Sequence, residues 1–318
     1  MTTTESSTEP VKPAARAIRA LELFCGIGGF AAAVEGSNVR VVAALDHSPQ
    51  ALAVYRHNFP GHQARRVDLE RVTAWELTTC AADLWWLSPP CQPYCERGIR
   101  RDLQDSRARS LLRLMEILRA MAVECLPQSI ALENVAGFAD SNARHQLVSI
   151  LEGRGYYLRE RLLCPSELGV PSRRPRYYLT ASRLPLADLQ PVNTNPRLLG
   201  SYLPRTDEVP HHLLLAPEII EKFGSGLRIL DREDPTAYTT CFTSGYGKSI
   251  VNAGSYLRCG DRVRYFSPQE ISRLLHFPDT FSFPSEVSLR KQWHLIGNSL
   301  SVAAVQEILR GVPMVRLP

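Results

Sequence analysis

The sequence holds no uninterrupted apolar run close to the roughly 18 to 20 residues that span a bilayer, so no membrane association is expected. Its first residues, rich in Thr, Ser, Glu, Pro and Ala, lack the apolar stretch of a secretory signal, and residues 1–17 read as a disordered tail. Dense cysteine spacing is missing too. Eight cysteines, at positions 25, 80, 91, 95, 125, 164, 241 and 259, are scattered rather than framed as a disulfide scaffold, which fits reduced thiols in a cytoplasmic protein. Cys91 and Cys95 lie close, but no second pair or histidine cluster completes four ligands, so no metal is expected. There is no internal repeat and no Gly-Lys-Ser/Thr phosphate loop.

What is present is an ordinary globular composition. Hydrophobic residues make up 44% and charged residues 22% of 318, enough for one large domain carrying a smaller one. The net charge of +5 leans only weakly toward an anionic partner, so its distribution matters more. Arg97, Arg100, Arg101, Arg107, Arg109 and Arg113 crowd one segment against Glu96, Asp102 and Asp105, which suggests phosphate contact or merely a solvated loop.

Between residues 18 and 183 short apolar runs alternate with amphipathic helical patterns, the signature of βα units around a mostly parallel sheet. Strands are expected at residues 19–24, 39–45, 63–67, 84–87, 129–132, 156–163 and 176–180, and helices at 49–58, 110–121 and 143–152. Prolines 185, 191, 196, 204 and 210 then break the pattern, and little helix is expected up to residue 262 apart from 217–223. Helices return at 267–275, behind a Ser-Pro-Gln-Glu capping pattern, and at 299–310. The expected organisation is a domain at 18–188, a smaller one at 189–262, and a return to the first at 263–318.

Three places carry chemistry. After the run 84–87, Pro89-Pro90-Cys91-Gln92 sets a stiff turn that can hold one thiol in one place, although a lone cysteine also reads as a small buried hydrophobe. The run Leu21 to Leu23 enters Phe24-Cys25-Gly26-Ile27-Gly28-Gly29, a strand leading into a glycine turn and a helix, where a ligand can approach free N–H groups. Asp46 ends the second strand, placed for ribose hydroxyls, and Asp68 the third, placed for an adenine amino group; each alone also reads as a helix cap. Without a phosphate-binding lysine, S-adenosylmethionine is favoured over ATP. Glu133-Asn134-Val135 follows the strand 129–132, where a buried glutamate can donate a proton near neutral pH. Arg174 and Arg176 could neutralise a developing charge, or one of them could simply pair with Glu133. Thiolate addition at carbon 6 of cytosine, aided by an acid at N3 and an arginine near O2, would turn carbon 5 into a nucleophile.

These stretches, with Ser88-Pro89-Pro90-Cys91-Gln92, Arg174-Pro175-Arg176 and Gly297-Asn298-Ser299, strongly resemble the successive motifs of the cytosine-5 methyltransferase superfamily, in order. The resemblance implies a Rossmann-like S-adenosylmethionine-dependent α/β domain plus a target-recognition domain. Cys91 would be the nucleophile, Glu133 the N3 contact, and Arg174 and Arg176 the arginines near the flipped base. The cofactor would lie among Phe24, Gly26, Ile27, Gly28, Gly29, Asp46, His47, Asp68, Leu69, Ser88, Asn298 and Ser299. Ser172 departs from the Gln common in DNA-modifying members.

Cys241-Phe242-Thr243, followed by Tyr246-Gly247-Lys248 and Gly254-Ser255, resembles the branch that methylates transfer RNA, the tRNA-aspartate cytosine-5 methyltransferases. Arg264-Tyr265-Phe266-Ser267-Pro268-Gln269-Glu270-Ile271 and Asp105-Ser106-Arg107 fit that branch as well, whereas Asn252-Ala253 and Cys95 depart from it, Cys95 replacing a usual Thr. The resemblance implies tRNA as substrate, tRNA-Asp and its anticodon-loop cytosine 38 foremost, and a monomer. Cys241, Phe242, Thr243, Tyr246 and Lys248, with Arg97, Arg100, Arg101 and Arg107, would contact the nucleic acid. A DNA cytosine-5 methyltransferase of a restriction-modification or regulatory system is the alternative, and an inactive nucleic-acid-binding relative a further one.

Overall fold

A computed structural model of the chain describes residues 16–95, 101–190, 194–204 and 209–318; the expected tail lies outside them but for its last two residues. The chain runs β1 (Ile18–Leu23), α1 (Gly29–Val34), β2 (Val39–Asp46), α2 (Pro49–Asn58), β3 (Ala64–Arg66), α3 (Ala74–Thr78), β4 (Leu84–Leu87), α4 (Arg109–Ala120), β5 (Ser129–Val135), α5 (Asn142–Gly153), β6 (Tyr157–Leu163) and β7 (Arg176–Ser182). Then follow α6 (Pro217–Phe223), β8 (Ile229–Leu230), β9 (Tyr256–Cys259), β10 (Arg262–Tyr265), α7 (Pro268–Leu274), α8 (Leu289–Gly297) and α9 (Val302–Leu309). The first seven strands form one sheet in the order β3-β2-β1-β4-β5-β7-β6, and the last three a small sheet, β10-β9-β8. The expected boundary at residue 262 falls inside the β9–β10 hairpin.

Sequence explains the layering. Four consecutive apolar residues, Leu84-Trp85-Trp86-Leu87, are all buried because a central strand is covered on both faces. Alternation sends Trp86 to one side, stacked on Phe30 of α1 at 5.1 Å between ring centroids, and Trp85 to the other, among the apolar faces of α4 and α5. β6, at the edge, alternates toward solvent instead. Serine caps start the helices where expected: Ser48 Oγ accepts from Ala51 N ahead of Pro49, and Ser267 pairs reciprocally with Glu270.

Helix α8 was not expected, since its apolar stripe is short and flanked by polar residues. The last helix begins at Val302 rather than 299, because Ser301 caps it through Ala304 N. It packs back against α1, and Leu300 sits so near Gly29 that a Cβ there would come within 2.6 Å of it. The sheet is mostly parallel, as expected. One strand departs: β7 runs antiparallel between β5 and β6.

Candidate active site

Strand order reverses between β1 and β4, and ligands collect at the carboxyl ends of strands beside such a point. Phe24, Gly26 and Gly28, all at positive φ, carry the chain out of β1; a Cβ on Gly28 would meet the Phe59 ring at 2.4 Å. Gly26 N–H donates to Asp46 Oδ2 at 2.9 Å and Ser48 N–H to Oδ1 at 2.8 Å, so Asp46 fixes the turn while each oxygen keeps acceptor capacity for a hydroxyl. A Cβ on Gly26 would meet nothing within 4 Å, which leaves open space over the turn. His47 and Asp68 are exposed at the neighbouring strand ends, whereas Leu69 is buried in the core. Ser88 N–H donates to Leu23 O at 3.2 Å, tying the ends of β4 and β1 together. Ser299 lies beside Gly29, with Asn298 exposed next to it. These residues fit a phosphate-free adenosine ligand.

Sequence reasoning missed Glu22, an acid inside the apolar run Leu21-Glu22-Leu23. It is 1% exposed, accepts from Tyr55 Oη at 2.9 Å and from the N–H groups of Phe30 and Ala31, and burial pushes its carboxyl up to about 8. It anchors the first turn of α1 from beneath the glycines.

The reacting groups come from three neighbouring strands. Cys91 opens a 3-10 turn over residues 92–94, closed by Tyr94 N–H to Cys91 O at 3.0 Å. Tyr94 anchors the turn by packing edge-on against Phe138 at 4.8 Å. Asn134 Nδ2 donates to Pro89 O at 3.2 Å, fastening the proline turn to β5, another contact sequence reasoning did not find. Glu133 is 9% exposed, and Arg176 Nε lies 3.2 Å from its Oε1. Antiparallel pairing makes this possible, because it brings the first residue of β7 opposite Val135, at the carboxyl end of β5. Burial raises the Glu133 carboxyl, and Arg176 and Arg174 only partly offset that, so a proton is retained above the usual carboxylate range.

The Cys95 thiol lies against Cys91, donating to its carbonyl at 3.3 Å. A hydrogen bond from the Cys91 thiol, against burial and with help from Arg176, lowers Cys95 to about 7, while the same contact pushes Cys91 up. A raised thiol is the poorer proton donor, so the Cys95 contact works against ionising Cys91, and it is the Arg176 guanidinium that favours the Cys91 thiolate. Replacing Cys95→Thr removes that thiol contact and is expected to move the acidic limb of the pH–rate profile downward. An unchanged limb would show that Cys95 does not govern the ionisation of Cys91.

Arg174 is turned into the protein. It is 4% exposed, and its guanidinium donates to Cys241 Sγ at 2.9 Å, Phe242 O at 3.1 Å, Gly297 O at 3.2 Å and Ser299 O. Its terminal nitrogens are spent on loops, and of the two arginines it is Arg176 that pairs with Glu133. The Arg174→Ala protein should lose on the order of 3 kcal/mol in urea unfolding, since several buried carbonyls lose their donor.

The segment after Cys241 also differs from expectation. Phe242 and Tyr246, 4% and 1% exposed, belong to an aromatic cluster with Tyr256, Tyr265, Phe266 and Trp293, so neither offers a free face to a base. Tyr246 Oη donates to Ser255 O at 2.6 Å and accepts from Phe266 N–H at 2.9 Å. Thr243 N–H donates to Ala253 O at 2.9 Å, and a Cβ on Gly297 would meet the Thr243 carbonyl at 2.4 Å. Cys241 itself faces both arginines, 3.6 Å from Arg176, which outweigh burial and lower its thiol. This segment is a wall of the site. Lys248 is exposed and available.

Of the arginine cluster, Arg97 and Arg100 lie outside the described residues. Arg101 is exposed, and Arg107 forms a two-point pair with Asp105 at 2.6 and 2.8 Å, which occupies much of its fork. Among the described residues no three His, Cys, Asp or Glu side chains are grouped as a metal site would need, and no helix is long and apolar enough to cross a membrane.

The chain is 28% identical to the tRNA (cytosine(38)-C(5))-methyltransferase of Homo sapiens, over 92% of this chain and 98% of that one. It is also 28% identical to the DNA (cytosine-5)-methyltransferase of Dictyostelium discoideum, over 92% and 93%. The crystal structure of the S. pombe Dnmt2 methyltransferase superposes with a TM-score of 0.81 at 26% identity, covering 92% of this chain and 97% of that one. Enzymes that methylate cytosine C5 in this way use S-adenosyl-L-methionine. The model of the C-5 cytosine-specific DNA methylases matches residues 18–208 and 219–313, and the chain belongs to that family.

Proposed function

We propose that this cytosine-5 methyltransferase acts on tRNA, at cytosine 38 of the anticodon loop of tRNA-Asp, through covalent attack by Cys91. The observation that carries the chemistry is the buried Glu133–Arg176 pair at 3.2 Å, at the sheet edge where the Cys91 turn is fastened. The choice of RNA rests on the human relative's activity and on the tRNA-branch likeness around Cys241. An anticodon loop presents unpaired bases, so extruding one costs less than opening a duplex.

S-adenosylmethionine would be held by the glycine turn, Asp46, Asp68 and the Asn298–Ser299 junction and would supply the methyl group. The chain's residues do the rest. Cys91 gives its proton to solvent and bonds as the thiolate to cytosine C6, and Glu133, protonated, hydrogen-bonds N3 to draw the displaced electrons into the ring. Arg176 orients Glu133 and stabilises charge growing toward O2. Once C5 carries the methyl group, water takes the C5 proton and the C6–sulfur bond breaks, returning the Cys91 thiolate.

Incubating the protein with methyl-labelled S-adenosylmethionine and either tRNA or duplex DNA tests the reading. Label in tRNA, mapped by bisulfite sequencing to position 38, is expected. Label in DNA alone would favour the second reading, to which the Dictyostelium relative points.

A further inference from the structure

Next to the reacting groups lies a cationic feature that the chemistry above does not use. The guanidinium carbon of Arg173 sits 3.7 Å from the centroid of the Tyr238 ring, and that of Arg228 sits 4.1 Å from the same centroid. Two planar groups cannot share one face of a ring at that height, so the arginines cover opposite faces, just under about 8 Å apart. The backbone fixes the arrangement: Arg173 N–H donates to Thr239 O at 2.8 Å, Thr239 N–H to Pro171 O at 2.9 Å, and Arg228 Nε to Tyr238 O at 3.2 Å.

Neither arginine pairs with a carboxylate among the described residues. The acids of the same loop are engaged elsewhere, Asp234 with Thr236 at 2.7 Å and Glu233 with Arg232 at 3.2 Å. Arg173 is exposed, and its whole guanidinium edge is free of hydrogen bonds among the described residues; Arg228 keeps its two terminal nitrogens. Two uncompensated like charges held in place repel each other, and a polyanion relieves that repulsion.

Position identifies the anion. Arg173 is three residues from Arg176, and Tyr238 three from Cys241 in the wall of the site, so their Cα atoms lie within about 11 Å of those two residues. We propose that Arg173, Tyr238 and Arg228 form a clamp for the phosphodiester backbone of the RNA strand that carries the target cytosine, each guanidinium taking its own phosphate. The ring serves as a spacer, with both faces covered and no base stacked on it. This rests on the tRNA reading of the same site.

The test uses the full chain. Arg173→Ala and Arg228→Ala are each expected to raise KM for tRNA about tenfold and to reduce the slope of log affinity against log salt by about one, with S-adenosylmethionine affinity unchanged. Tyr238→Leu removes no charge, yet it should raise KM as well, because the forks lose their platform; Arg173→Lys should restore the salt slope but not the full affinity. Thermal melting verifies that the variants fold. Unchanged KM and salt slope in both arginine variants would overturn the clamp. If the wild type transfers no methyl group to tRNA, the tRNA reading fails separately. The clamp is then read by fluorescence anisotropy with a labelled oligoribonucleotide, where equal binding by wild type and the double arginine variant refutes it.

Discussion

A Cys91→Ala protein is expected to fold and bind S-adenosylmethionine normally while losing roughly 10⁴-fold or more of its methyl transfer rate. The reason is electronic. Carbon 5 of cytosine is a poor nucleophile until a sulfur bonds at carbon 6, and no other group of the turn can make that bond: Cys95 points to the Cys91 carbonyl, and Cys241 is held by Arg174. Residual activity within tenfold of wild type would show that Cys91 is not the nucleophile. A gel-stable adduct between wild-type protein and RNA containing 5-fluorocytosine, absent from Cys91→Ala, gives an independent readout.

The second large effect is expected at Glu133. Glu133→Gln keeps size and the contact with Arg176 but cannot give up or hold a proton, and a drop of roughly 10² to 10⁴-fold in kcat should follow. The pH dependence carries the sign. Burial raises the Glu133 carboxyl, so its protonated, active form persists above the ordinary carboxylate range and is lost as pH rises through the raised value. Cys91 must instead be a thiolate to attack, so activity rises with pH as that thiol ionises. The wild-type profile should therefore be bell-shaped, and Glu133→Gln should lose the limb that Glu133 sets. A Glu133→Gln enzyme that keeps both limbs and most of its rate would remove the acid from the mechanism.

Much of this was readable from residue order. Strand 84–87 was placed to the residue, because two tryptophans between leucines, followed by two prolines, leave no other local structure. Helices 49–58 and 217–223 were placed equally well, each announced by a proline at its first position. The motif residues around Cys91 and Glu133 were legible because they end strands. What was hidden depends on direction and depth. Nothing in residues 176–182 says that the strand runs against its neighbours, and Phe242 and Tyr246 carry no local sign that they turn inward. Arg174 and Arg176, two residues apart, look equivalent in sequence. One becomes a brace and the other a site residue only once the loops at 241–243 and 297–299 close around the first.

The reversed strand has a consequence for how this protein tolerates change. Side chains alternate across a strand, so a one-residue insertion or deletion within β7 would swing Arg176 to the opposite face of the sheet, away from Glu133, even if the strand still paired. A longer or shorter loop between β6 and β7 would leave the ladder and the ion pair in phase. Length variation compatible with catalysis is thus confined to the connections, and the seven residues of β7 behave as a ruler whose zero mark is set by chemistry at one end.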